Sequence, residues 1–384
     1  MNKTLKFFFI VYLTTLSICP LNVWSEEKIK IGLLVPLSGD NAKIGQLIIK
    51  STRMALKDIG NNNIEIFPKD SGTDPNKSLL SSIEFRDMGI NIVVGPVFFK
   101  NLVYLNEVKE ITFLSLTNKT IDLPGNVISA GINATSQLNA IKKFIKNKKL
   151  NNTIFLTPKV DYEFEIKKAI KKSKIKISKY YSYDLEPTKL TAQIEKITNY
   201  KIRKRNLTDE IRRVENSDLI DKDKLIEKLE KKYTIGKVNF DSVIISDFSE
   251  SLKSVITSLL YTDVSPKNKY IITFNQWFDN SLLKEKAIQP IYYPSINWEN
   301  MDSFKKKFFN EYGEFPDHLS LLSYDLVGLI YYLSLKNELN DIEKLFKKNH
   351  SFKGKIGIFD IQNNKINHRL NFYQVENDKL KKIF

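Results

Sequence analysis

Chemistry needs side chains that can donate, accept or coordinate, and few of them stand at motif spacing in this sequence. Asp70 and Asp74 bracket Ser-Gly-Thr, and Asp184 and Glu186 stand two apart. Paired carboxylates of this kind can hold a divalent cation or share acid–base work. In both places a proline follows directly, Pro75 and Pro187. A carboxylate before proline is a helix-start signature, so the turn-and-cap reading takes precedence. His318, His350 and His368 are too dispersed for a histidine metal centre, and none has a serine or cysteine in a nucleophile frame. His318, close to Pro316, reads as part of a surface turn. The single cysteine, Cys19, excludes an internal disulfide and a cysteine-built metal site. Glycine-rich phosphate loops, a nucleophile elbow and a zinc-protease helix motif are absent from the sequence. No catalytic residue, metal or cofactor is expected.

Binding is the chemistry that remains. Ser38 beside Gly39, Phe98 and Phe99, Ser115 and Thr117, Tyr162, Asp247, and Gln276 with Trp277 all follow predicted strands. In an open parallel sheet the loops at the carboxyl ends of strands line the ligand site. Hydroxyls of Ser115 and Thr117, with nearby amides, suit a carboxylate; Tyr162 and Trp277 supply flat walls; Asp247 could accept an ammonium group. For each residue a loop or cap role stands beside ligand contact.

These positions require an alternating scaffold. Ile29–Pro36 reads as a buried strand, and Ala42–Ile59 as a helix closed by Gly60. Ile64–Pro68, Ile90–Val94 and Thr112–Ser115 are further strands, with helices expected between them. The pattern restarts after Lys149: Asn152–Thr157, Ile175–Tyr181, Ser242–Ser246, Tyr270–Phe274 and Ile288–Tyr293 are strands separated by helical stretches. The fold class is therefore α/β, with two doubly wound parallel-sheet halves.

The chain has 384 residues, 42% hydrophobic, enough for large cores and against general disorder. The net charge of +16 is mostly scattered lysine, read as a solvated face; no nucleic-acid motif supports a polyanion site, and no nucleic-acid partner is expected. Lys3 and Lys6, the apolar run Phe7–Ile18 and Val23-Trp24-Ser25 have the layout of a secretory signal peptide over residues 1–25. The run is too short to span the roughly 30 Å of a bilayer core. The expected location is the periplasm, with no transmembrane segment after cleavage; Cys19 leaves lipid anchoring open, although Ile18 before it is atypical. Residues 201–232 carry eleven basic and eight acidic side chains with sparse apolar residues at helical spacing. They read as one or two exposed, mobile helices, either a solvated appendage or a docking surface.

Several segments together resemble type I periplasmic binding proteins of the leucine-binding class. Ile31-Gly-Leu-Leu-Val-Pro-Leu-Ser-Gly39 resembles the opening strand and loop, and Ile92-Val-Val-Gly-Pro96 the third strand. Phe113-Leu-Ser115, with Thr117 or Thr120, is similar to the ligand loop; Asp161-Tyr162 resembles the second-lobe turn. Phe304-Lys-Lys-Lys-Phe308, Tyr312-Gly313, Pro316 and Tyr324-Asp325 resemble the late helix pair. The resemblance implies two lobes joined by three crossovers, residues 28–148 plus 296–348 and 150–294 plus 350–384, the charged insert belonging to the second. It implies a non-enzyme that captures an amino acid or similar small-molecule solute for an ABC permease or for sensing. Phe98 and Phe99 depart from it where a serine usually follows Gly-Pro, and Glu163 stands where glycine is usual. The insert, Asn239-Phe240-Asp241, Asn275-Gln276-Trp277 and Gly357-Ile-Phe-Asp360 are similar to another branch, the penicillin-binding protein activators, which implies contact with a peptidoglycan synthase.

Overall fold

The computed structural model describes residues 28–60, 63–274, 285–335, 346, 349–362, 365–377 and 379–384. The proposed signal segment, Gln276 and Trp277 lie outside them.

Ile29–Val35 (β1) buries Ile31, Leu33, Leu34 and Val35 almost completely, as a strand covered on both faces must. Ala42–Ile59 (α1) ends at Gly60, which takes the left-handed conformation (φ 66°) and donates its N–H to Leu56. Ile64–Asp70 (β2) follows, and the Asp74 side chain then caps Pro75–Asp87 (α2), accepting from Asn76 N at 2.8 Å. Ile92–Val94 (β3), Thr112–Ser115 (β4) and Val127–Ser129 (β5) complete the parallel run. Between β3 and β4, where a helix was expected, stand two short 3₁₀ turns, Phe99–Leu102 and Leu105–Glu107. The segment has apolar residues but no regular helical spacing long enough to outlast one turn.

Ala134–Asn147 (α3) leads to Thr153–Pro158 (β6), Glu163–Ser173 (α4), Lys179–Tyr183 (β7) and Pro187–Ile197 (α5). Tyr200–Glu215 (α6) and Lys222–Glu230 (α7) form the charged insert. Ser242–Ile245 (β8), Ser249–Tyr261 (α8), Tyr270–Thr273 (β9) and Ile291–Ser295 (β10) follow. Trp298–Tyr312 (α9) and His318–Ser334 (α10) are capped by Asn297 and Asp317. The chain closes through His350–Lys353 (β11), Ile358–Gln362 (β12), Lys365–Arg369 (β13), Asn371–Glu376 (β14) and Lys379–Lys382 (β15).

Two sheets result. The first has the order β11-β12-β13-β5-β4-β3-β1-β2, and the second β15-β14-β10-β9-β8-β6-β7. From β2 to β13, and from β7 to β10, all neighbours pair in parallel; the late strands add antiparallel edges. The assignment of 350–384 to the second lobe is corrected: residues 350–369 lie in the first sheet, and β14 and β15 in the second. Phe359, Ile361 and Ile366 alternate inward into the same cluster as Leu326, Leu329 and Ile330 of α10. β13 pairs in parallel with β5, and the Ile366 carbonyl accepts from Asn133 Nδ2 at 2.9 Å, which fixes β12 and β13 in the first lobe. Helix α3 turns the other way: Phe144 stacks on Phe372 of β14 at 4.5 Å and meets Tyr292 of β10 at 5.1 Å.

The insert is two largely exposed helices, as its charge pattern suggested, and they pack against each other as a hairpin. Leu207, Val214 and Leu229 form a small core of their own. Arg203 is buried and donates to the carbonyls of Thr262 (3.0 Å) and Gly236 (3.2 Å) and to Thr234 Oγ1 (2.7 Å). Exposed pairs such as Arg213–Glu210 and Lys231–Glu227 are screened by solvent and add little.

Candidate interlobe site

The strand ends of the first sheet create a cavity of about 290 Å³. Phe98 and Phe99 from the β3 loop, and Thr117 with Lys119 from the β4 loop, form one side of it. His318 and Leu322 of α10, with Ile356 from the β11–β12 turn, form another. The Lys119 ammonium lies 4.3 Å from the Phe99 ring centroid. His318 is therefore a cavity wall and not the surface turn expected beside Pro316. Burial holds its imidazole below the ordinary value, so it is neutral at pH 7.

The hydroxyls expected to hold a ligand have protein partners. Ser115 is fully buried; its Oγ donates to the Pro96 carbonyl at 2.8 Å and accepts from Thr117 N at 3.3 Å. Thr117 Oγ1 accepts from Lys119 N at 3.3 Å, and the Thr117 carbonyl takes the Ser129 hydroxyl at 2.8 Å. These bonds shape the loop and leave its side chains to line the cavity. Ser38 is exposed and stands apart: its Oγ accepts from Lys77 Nζ, which also pairs with Asp70 at 2.6 Å. Partial burial works against the charged Asp70 carboxyl, but hydrogen bonds from Lys77, Ser38, Leu37 and Gly72 hold it far below the usual range. Asp70 organises this loop and Asp74 caps a helix, which accounts for both carboxylates.

The second lobe brings Tyr162 and Asp247 together. Tyr162 donates to the Ser246 carbonyl at 3.0 Å, and its ring meets Phe248 edge-on at 6.2 Å. Burial, and then the Asp247 charge, push its phenol well above the ordinary value. Asp247 accepts from Tyr183 Oη and Ser251 Oγ, each at 2.5 Å, and from Phe248 N at 2.8 Å. Neither residue lines the first-lobe cavity. The structure thus splits the predicted set into Phe98, Phe99 and Thr117 in one lobe, and Tyr162 and Asp247 in the other.

A direct tie joins the lobes. Thr120 donates its N–H (2.6 Å) and its hydroxyl (3.1 Å) to Oε1 of Glu165 on α4. Burial raises the Glu165 pKa despite these bonds. Sequence reasoning missed Glu165, Lys119 and Tyr183. Lys119 was within reach, since it falls in the loop that carries Ser115 and Thr117; Glu165 gave no signal beyond its place in a helix.

No protein-family model matches the sequence, and a search of curated proteins finds no match. Solved structures do match. The C-domain of LpoA from Haemophilus influenzae, a regulator of PBP1A, aligns with a TM-score of 0.62 at 16% identity, over 92% of this chain and 100% of that one. Full-length LpoA is covered over 59% of its length. The leucine-binding protein LivK from Thermotoga maritima aligns with a TM-score of 0.57 at 12% identity, over 93% and 98% of the two chains. LivJ from Streptococcus pneumoniae, solved with isoleucine, gives 0.54 at 15% identity, over 92% and 98%. Among the described residues no helix is long and apolar enough to cross a membrane. With its two parallel-dominated sheets and this set of structural neighbours, the chain has the type I periplasmic binding fold of the leucine-binding proteins and LpoA.

Proposed function

We propose that this protein is a non-catalytic periplasmic regulator that acts by contact with a peptidoglycan synthase, and not a receptor that delivers solute to an ABC permease. The observation that carries this reading is the second-lobe wall. A solute clamp needs polar groups on both lobes that are free to turn to the ligand. Among the described residues, Tyr162 is spent on Ser246, and the Asp247 carboxylate already takes three donors. Phe98 and Phe99 occupy the place where the solute-binding resemblance implies a hydroxyl. The packed insert offers a contact surface, with Ile220 wholly exposed at its tip.

The test is a polymerisation assay with a bifunctional penicillin-binding protein from the same source, with and without the purified protein. The expected result is a saturable rise in glycan polymerisation that Ile220→Asp reduces. Absence of both stimulation and co-purification overturns the reading. Solute capture is the second reading, favoured by the first-lobe cavity. Saturable binding of an amino acid, lost in variants of Thr117 and Tyr162 alike, would establish it instead.

A further inference from the structure

We propose that the lysine face built by α3, α4 and β15 docks this protein on an anionic lipid bilayer. Residues 142–149 hold five lysines and residues 167–179 hold seven, with no acidic residue in either stretch. The two helices pack side by side on the second sheet, burying Ile141 and Phe144 of α3 and Ile166 and Ala169 of α4. Helical spacing then turns Lys143 and Lys146 of α3, with Lys168 and Lys171 of α4, to solvent. The sheet edge extends this surface. Phe372 of β14 stacks on Phe144, so Gln374 and Glu376 share its face, and the register sets Lys381 and Lys379 of β15 beside them. Partial burial, and then the charge of Lys365, lower the pKa of Lys172, as expected of two neighbouring cations.

These charges have few counter-ions within the protein. Among the described residues the ion pair on α3 and α4 is Lys167–Glu163, at 2.6 Å. Glu165 faces Thr120, and Glu376 is the described acidic group on that side of β14, where it accepts from Gln374 Nε2 at 2.7 Å. On α1 and α9, by contrast, Lys43, Lys50, Lys57 and Lys307 each reach a carboxylate. The cations of α3 and α4 are all lysine. Protein interfaces are depleted in lysine and favour arginine, whose planar fork fixes one geometry; a field of lipid phosphates needs only many point charges close to its surface. Phe164, 59% exposed and with its ring centroid 4.4 Å from the Lys168 ammonium, adds an aromatic ring suited to the headgroup boundary. Arg203 ties the insert to the end of α8, on the other side of the second sheet, so docking by the lysine face leaves the insert clear of the lipid. The inference goes beyond the protein-contact reading, and its test contains no synthase, so either can fail alone.

The test is co-sedimentation of the purified protein with vesicles of phosphatidylcholine alone and of phosphatidylcholine mixed equally with phosphatidylglycerol. At about 50 mM salt, binding to the anionic vesicles should exceed binding to the neutral ones at least about tenfold, and it should fall away at about 500 mM. The triple variant Lys146→Gln, Lys168→Gln, Lys171→Gln should partition at least about tenfold more weakly. Lys30→Gln, Lys100→Gln, Lys109→Gln removes the same charge from exposed positions of the first lobe and should change partitioning less than about threefold. Both variants should keep the wild-type melting temperature. Absence of binding to the anionic vesicles, equal binding to both kinds, or an equal loss in the two variants overturns the proposal. So does capture of soluble polyglutamate without vesicle binding, which assigns the face to an acidic chain.

Discussion

Acidification should strike this fold at His368, and the size of the effect follows from its surroundings. The ring is 4% exposed, packs edge-on against Phe359 at 4.7 Å, and holds the Ala130 carbonyl at 2.8 Å through Nε2. A bond to a carbonyl requires Nε2 to carry the proton, which leaves Nδ1 as the site of any second one. Nδ1 is buried with no hydrogen-bond partner. A second proton would therefore be both charged and unsatisfied. Burial accordingly pulls the imidazole down to about 4, against hydrogen bonds to Ala130 and Gly131 that favour the charged form. In the unfolded chain it returns to about 6.5. Above pH 6.5 neither state binds the extra proton and the full stability is present. As pH falls, the unfolded chain takes the proton first, and stability is lost until the folded value near 4 is passed. At pH 5 the loss is about 2 kcal/mol, and its limit at lower pH is about 3 kcal/mol. Urea unfolding of the wild type and His368→Gln at pH 7.5 and 5.0 measures it, since glutamine can still donate to Ala130 but cannot titrate. The wild type should lose about 2 kcal/mol more than the variant over this interval. The difference between the two proteins is what counts, because other groups titrate in both. A difference within about 0.5 kcal/mol of zero, or of the opposite sign, refutes the reasoning.

Three further outcomes follow from buried groups. Asp325 accepts from the amides of Lys355 (2.8 Å) and Ile356 (2.7 Å), yet burial lifts its carboxyl to about 6. Its protonated form favours folding below about pH 4, and that benefit is lost as pH rises through 6. Asp325→Asn should therefore gain stability relative to wild type between pH 4.5 and 7 in urea titrations, whatever its offset. Gly45→Ala should lower the melting temperature although alanine is the better helix former: the added Cβ would lie 1.9 Å from the Pro36 carbonyl oxygen, an overpacking worth about 1–3 kcal/mol. Arg203→Met removes four donated bonds, the pair with Asp263 among them, and should cost about 3 kcal/mol. Limited proteolysis should then cut near 216–222 first, while the rest of the chain resists.

The scaffold was legible where burial is two-sided or caps are explicit. The apolar run at Ile31–Val35, the Gly60 stop and the Asp74-Pro75 start each have one physical reading, and each helix or strand stands where that reading places it. Late strand pairing was not legible. The alternation at Phe359, Ile361 and Ile366 specifies a strand with one buried face but not which sheet receives it; pairing of β13 with β5, from a distant part of the chain, decides that. The site was only half legible for a related reason. Strand ends gave the neighbourhood of Phe98, Phe99 and Thr117, but composition cannot tell a hydroxyl that faces a ligand from one turned back on the backbone, as at Ser115. The cavity's single cation and the tie to Glu165 depend on side-chain direction across two lobes, which no local pattern encodes.

The passage from β13 to β14 has a consequence for how the molecule assembles. Arg369 ends a strand of the first sheet and Asn371 begins one of the second, so Leu370 alone carries the chain from one to the other. Five strands of the first sheet are contiguous early in the chain, but β13 must come back from more than two hundred residues away to pair beside β5. Closing so long a loop is entropically slow and raises the contact order of that lobe. Folding should therefore proceed with the central strands of both sheets formed first and the β5 edge left unpaired. The last step would be a single zippering event in which β13 and β14, too closely linked to dock independently, complete both lobes together.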